Sequence, residues 1–407
     1  MGATDVAAKV VMFAITPYLA NTMGAAEFGS LSLYLSTTDI FSFILFLGGP
    51  ALVAAQYVRH GEMSALRLRA ASIGVSLRVV PVLLVGSIAV SWFWPGTVPY
   101  SAGILIVAVS YLYGLNSLEL SYYRGAQKYP FAIAGQFCFS VMSLLLTIAA
   151  FEWISPTATN RLLSIAIALG LVQLAYAFDL HRHPYDLPDL ITRRANINLV
   201  VTFGLSVSVH VASQWVRLAV DRFVLAGHAG LATAGVYSVA LSMATVPSVL
   251  FNIISQQLQP YMYRKLKENK FGDFRRIQVI FTLFVATSTS LYYWILLKFF
   301  DTFFGSEYSS AKTLLLPLLG ASAAQSAYYI FTHAAFYERR ARHISGTAAA
   351  TITVHLLGLG ALALAGAVTP LNVSLVYLIS GVTTAVGMAT LSRITVKQLA
   401  SNGEVSH

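Results

Sequence analysis

Five ionisable side chains stand inside apolar runs of this chain: Lys9, Asp39, Glu119, Arg217 and His355. A charge near the centre of a hydrocarbon-embedded helix costs roughly 2.5–3.5 kcal/mol on insertion scales, so it turns toward a partner or a water-filled cavity. Lys9 and Glu119 stand near the ends of their runs, where snorkelling to the interface is an equal alternative. Asp39 and Arg217 are several residues deeper, and two roles are open to them. They either form a structural ion pair between helices or line a charged cavity for a polar ligand. His210, Gln214 and Arg217 follow one another at four and three residues and so share one helix face. A polar stripe of this kind is expected to line a cavity, and Arg222 adds a second cation beyond it. His355 has a side chain that titrates near neutrality, but it reads first as a hydrogen-bonded interior residue.

Covalent chemistry finds no support in the remaining motifs. There is no HExxH, GxSxG, Walker loop or dinucleotide fingerprint in a suitable context. His181 and His183 stand as HxH in a basic connection without a thiol neighbour and read as a solvated interfacial loop, so neither a metal site nor a cofactor is expected. The lone Cys138 excludes a disulfide framework and is expected to pack within its apolar run.

The elements that position these residues are membrane helices. Of 407 residues, 57% are hydrophobic and 10% charged, against about 25% charged in soluble domains. The mean hydropathy is +0.70. Hydropathy predicts twelve spans, at 6–22, 31–55, 73–94, 100–123, 130–151, 161–180, 198–220, 231–256, 276–298, 311–334, 344–367 and 372–392. The first is expected to be a retained span and not a signal peptide. Pro17, Pro50, Pro81, Pro247 and Pro317 fall inside spans, where broken helices are tolerated if neighbours or water satisfy the freed carbonyls.

With the N-terminus in the cytoplasm, 21 of the 26 Lys and Arg fall in cytoplasmic connections or at their edges. Arg161, Arg217, Arg222, Lys298 and Lys312 are the remainder. This imbalance predicts a multi-pass protein of the cytoplasmic (inner) membrane with both termini cytoplasmic. The net charge of +10 is spread over these connections, so nucleic acid is not an expected partner. The two longest connections, 56–72 and 257–275, contain Gly61 and Gly272 and are expected to form interfacial amphipathic helices.

The chain also repeats. GAAEFGSLSLYLS (Gly24 to Ser36) and GLATAGVYSVALS (Gly230 to Ser242) share six identities at an offset of 206 residues, about half the chain. The second copy follows DRFVLAGHAG, read as a short turn between two hydrophobic helices. The expected organisation is an N-terminal six-helix lobe at 1–180, a Pro-containing cytoplasmic linker at 181–197, a C-terminal six-helix lobe at 198–392 and a tail at 393–407.

Lys9 followed by Pro17, GAAEFGSLSLYLS, the basic connection after it and DRFVLAGHAGLATAGVYSVALS together resemble the polysaccharide (O-antigen) flippases of the multidrug/oligosaccharidyl-lipid/polysaccharide exporter superfamily. The resemblance implies an all-α integral membrane protein of about twelve helices in two six-helix lobes around a central cationic cavity. It also implies alternating access that carries an undecaprenyl-pyrophosphate-linked oligosaccharide from the inner to the outer leaflet. Membrane lipid and the lipid-linked oligosaccharide would be its partners, and assembly with a polysaccharide polymerase would follow. A diphosphate favours Arg and Lys, for which Arg217, Arg222 and Lys9 are the candidates. Asp39, His210 and Gln214 complete the expected lining. The competing readings are a drug or metabolite antiporter of the same superfamily and a membrane polymerase or acyltransferase. Deep Arg217 and Arg222 count against the first, and short outer connections against the second.

Overall fold

The computed structural model describes the backbone of residues 2–93, 99–181, 190–338 and 340–404, without the side chains of 2–14, 93, 181, 190–193, 209–210, 341–343 and 402–404. The described residues are almost entirely helical. In order they form α1 (Gly2–Phe46), α2 (Gly49–His60), α3 (Glu62–Phe93), α4 (Tyr100–Gly125), α5 (Tyr129–Trp153), α6 (Ala158–His181), α7 (Leu190–Ala229), α8 (Leu231–Lys267) and α9 (Phe271–Phe303). A 3-10 turn (Ser306–Ala311) leads into α10 (Lys312–Tyr337), followed by α11 (Ala341–Leu364) and α12 (Pro370–Glu404). Among the described residues ten helices are long and apolar enough to cross a membrane, or eleven if α7, bent by 52° between Ser208 and Val211, counts as one. This is a multi-pass, all-α membrane protein.

Several predicted boundaries move. The first two predicted spans are one helix, α1, broken at Gly24, and the second span ends at Phe46 instead of continuing through Pro50. Leu47 and Gly48 both have positive φ, and Pro50 lies in the first turn of α2, where its missing N–H costs no helical bond. The stretch DRFVLAGHAG is not a turn: α7 runs on to Ala229 and the break falls at Gly230. The basic connection 257–275 is mostly the end of α8 and the start of α9. The hairpin between them is short, with Asn269 at φ 56°, and Lys265 holds Asp273 at 2.9 Å. Cys138 is exposed on α5 and not packed inside. A membrane helix has no water to hide an apolar thiol from, so burial is not required there.

Residues 3–15 and 30–215 make one compact unit, and 16–29 and 216–407 the other. In the first unit, α4 packs against α2, α3, α5 and α6, and α5 packs on α6. In the second, α10 packs against α8, α9, α11 and α12, and α11 packs on α12. The two units therefore repeat one wiring, with α4 and α10 as the central helices.

The sequence repeat is visible in the backbone. Gly24 has φ 76°, ψ 166° and Gly230 has φ 87°, ψ 165°, a conformation open to glycine and few other residues. Five residues on, Gly29 and Gly235 lie against each other within the second unit. A Cβ on Gly29 would sit 2.0 Å from the Leu231 carbonyl oxygen, and one on Gly235 would sit 1.9 Å from that of Ala25. Only hydrogen side chains allow two helices this close.

Candidate functional site

Two polar sites stand out, one in each unit. In the first, Asp39 lines a cavity of about 390 Å³ whose wall is otherwise apolar or hydroxyl-bearing, including Ser42, Phe46, Ser117, Phe203 and Val207. The break after Phe46 forms it. Gly204 of α7 lets the Leu47 carbonyl approach, since a Cβ there would lie 2.4 Å from it. Phe203 and Val207 then cover Gly48. Phe46 in turn fills the space over Gly114 of α4. The arrangement presents a carboxylate in a low-polarity pocket, suited to a cation or a hydroxyl-rich group.

In the second unit the polar site is built on α7. Arg217 is 6% exposed and Asp221 fully buried, one turn apart on the same face. Asp221 accepts a hydrogen bond from Tyr237 of α8 at 2.5 Å. Nε2 of His355, from α11, lies 2.9 Å from the other Asp221 oxygen, although neither atom is aligned for a hydrogen bond. Nδ1 of His355 is 3.3 Å from the Ser380 hydroxyl of α12. The Arg217 guanidinium stands 5.7 Å from the Tyr377 ring centre, within cation–π range. Its Nη1 is buried without a hydrogen-bond partner in the protein. The cluster thus holds a buried carboxylate with a tyrosine donor and an imidazole beside it. It also holds a guanidinium with donor capacity to spare, suited to an anionic oxygen.

The predicted residues distribute as follows. Arg217 is buried and Arg222 half-buried on α7, both in the second unit. Asp39 and half-buried Gln214 belong to the first. The side chains of Lys9 and His210, and those of His181 and His183, lie outside the described residues. The carboxylate on Arg217's own helix face is Asp221, which the sequence reading placed in a turn. His355 is the interior residue that was expected, with a partner 134 residues away that no local pattern announces.

Glu119 does not snorkel. It is buried and bonded by both Nε (2.9 Å) and Nη2 of Arg69, a bidentate contact between α4 and α3. Arg69 had been assigned to a connection. Arg161 is also buried: its Nη1 donates to the Ser143 carbonyl at 2.9 Å, the Ser143 hydroxyl at 2.8 Å and the Thr147 hydroxyl, fastening α6 to α5.

Residues 3–266 match the family model described as polysaccharide biosynthesis protein. The chain belongs to the polysaccharide biosynthesis protein family. The match contains Asp39, Arg217, Asp221 and Tyr237. Two Haemophilus influenzae proteins are similar to this family member over most of their length. "Lsg locus putative protein 1" is 21% identical, covering 88% of each chain. An "uncharacterized membrane protein" is 22% identical, covering 88% of this chain and 87% of its own.

Among solved structures, a multidrug resistance MATE family transporter of the MOP superfamily, in its inward-facing conformation, superposes with a TM-score of 0.73 at 12% identity. The alignment covers 97% of this chain and 96% of that one. The lipid II flippase MurJ, in an inward closed conformation, gives 0.75 at 11% identity, with 99% and 90% covered. The family member therefore has the two-lobed fold of the superfamily that its sequence resembles.

Proposed function

We propose that this protein is a flippase that moves an undecaprenyl-pyrophosphate-linked oligosaccharide from the inner to the outer leaflet of the cytoplasmic membrane, by alternating access of its two lobes and with both termini in the cytoplasm. The observation that carries the reading is Arg217, a buried guanidinium with an unmatched donor, in a chain of the polysaccharide biosynthesis family. Such a substrate has a polar head that hydrocarbon excludes and a polyprenyl tail that need not leave it. The head's diphosphate is the anion a buried arginine fork recognises, and its sugars match hydroxyl and amide side chains. Arg222 and Lys9 are further candidates for the diphosphate, and Asp39, His210 and Gln214 for the sugars. The work is differential binding of two conformations, with no bond made or broken.

The test is reconstitution in vesicles with a fluorescent undecaprenyl-diphosphate glycan and a membrane-impermeant quencher. Transfer should be accelerated over empty vesicles and lost in Arg217→Ala. Transfer at the protein-free rate, by protein that still unfolds cooperatively, sinks the proposal. Asp39 in its apolar cavity gives a specific reason to run organic cations beside it. Their transport without glycan-lipid transfer would favour the antiporter.

A further inference from the structure

The basic end of the second unit holds a cavity unrelated to the α7 cluster. It measures about 500 Å³ and is lined by Arg275 and Gln278 of α9, by Arg393 and Lys397 of α12, and on its apolar side by Leu283 and Phe331. Three cations meet there, and among the described residues no carboxylate lines it. The nearest acid along α9 is Asp273, and that one is held by Lys265 at 2.9 Å. The floor is fixed: Gln278 is buried, and its Nε2 donates to the Ser392 hydroxyl at 3.0 Å, tying α9 to α12 just below the cations.

The wall above is of opposite character. Along α9, Val279, Ile280, Leu283 and Phe284 are each half or more exposed, on a helix long and apolar enough to span the membrane. In a bilayer these side chains meet acyl chains. A ligand that suits both parts has an anionic head and a hydrocarbon chain that leaves the cavity along α9. Inorganic phosphate would satisfy the cations and leave the apolar wall unused. A glycan diphosphate head would have to seat its sugars beside Val279, Leu283 and Phe331, where Thr282 is the one hydroxyl among the described lining residues.

We propose that this cavity is a binding site for an anionic phospholipid, with its phosphate held by Arg275, Arg393 and Lys397 and one acyl chain lying against Val279 and Leu283. The two arginines supply planar forks for phosphate oxygens, and the lysine adds a point charge. Bound there, the lipid would join α9 to α12 in the same place as the Gln278–Ser392 bond. This site is independent of the transported substrate.

The test uses the full-length protein purified in non-ionic detergent and titrated with phosphatidylglycerol carrying a fluorescent acyl chain. Phosphatidylcholine, inorganic phosphate and undecaprenyl phosphate serve as competitors. Phosphatidylglycerol should bind saturably and resist the first two. A surface cation contributes about a fivefold factor to anionic lipid binding, so Arg275→Gln, Arg393→Gln and Lys397→Gln together should weaken it roughly a hundredfold. Lys397→Gln alone should weaken it about fivefold, which keeps the test decisive if the triple variant does not fold. Removing three cations from the same end but outside the cavity, by Arg264→Gln, Lys267→Gln and Arg276→Gln, should leave affinity within about threefold. Equal losses in the two triple variants would make the effect general membrane electrostatics and overturn the site. So would equal affinity for phosphatidylcholine, full displacement by inorganic phosphate, or tighter binding of undecaprenyl phosphate.

Discussion

Gly29 and Gly235 hold equivalent places in the two copies of the repeat and touch each other. A Cβ on either would run into the carbonyl one turn before the other, that of Leu231 at 2.0 Å or of Ala25 at 1.9 Å. The contact is reciprocal, so a change on either side should have the same effect. Alanine is the better helix former by about 1 kcal/mol, but the clashing atoms are backbone oxygens that cannot swing away. Gly29→Ala and Gly235→Ala are each expected to lose about 1–3 kcal/mol, read as a lower unfolding temperature in detergent. Gly227→Ala, with nothing within 4 Å of its Cβ position, should be neutral or better. Equal behaviour of all three variants would refute the close crossing.

The pair of Arg69 and Glu119 predicts an asymmetry. Glu119 is buried while the Arg69 side chain is 22% exposed. Arg69→Met therefore strands a carboxylate in the interior, with an expected loss of about 3–5 kcal/mol. Replacing both, as Arg69→Met with Glu119→Leu, should recover most of the loss in thermal unfolding. A double variant no better than Arg69→Met would show that the ion pair is not what Glu119 requires.

For Arg217 the expected outcome separates ligand contact from structural pairing. Arg217→Ala should abolish glycan-lipid transfer in a well-expressed protein, and Arg217→Lys should retain part of it, because the charge survives without the fork. Adding Asp221→Asn to Arg217→Ala should not restore transfer. Wild-type transfer by a stable double variant would mean that Arg217 serves only to neutralise Asp221, the buried carboxylate one turn on along α7.

Sidedness is testable without activity. Reporter fusions after Ser155 and after Asn269 should read outside and inside respectively, following the partition of basic residues. The reverse readings would invert every side assignment in the proposed transport cycle.

The helices, the repeat and the family were legible in the sequence because each leaves a local trace. Runs of apolar residues mark spans, and Gly24 and Gly230 mark breaks that recur with matching backbone angles. The partners of buried charges leave none. Arg69 was assigned to a connection because hydropathy ends a span where charges begin, whereas α3 starts at Glu62 and carries Arg69 two turns in. Asp221 was read into a turn for the same reason, since DRF and HAG interrupt the apolar run while the helix continues beneath them. Its neighbours Tyr237 and His355, and Ser380 beside His355, come from three other helices, and only the packing of α7, α8, α11 and α12 brings them together.

The way the chain is shared between its two units bears on where it can be cut. Residues 16–29 belong to the second unit, where Glu307 accepts the Ala25 N–H at 2.9 Å and Tyr308 donates to the Ala20 carbonyl at 3.0 Å. The first part of α7 belongs to the first unit, where it walls the Asp39 cavity and Trp215 donates to the Ser36 carbonyl at 2.6 Å. A gene divided between α6 and α7 would give two polypeptides, each short of a piece that the other encodes. Neither should mature alone, and the two should become stable only when made in the same cell. The two repeated units are thus mutually dependent, which keeps the halves on a single reading frame.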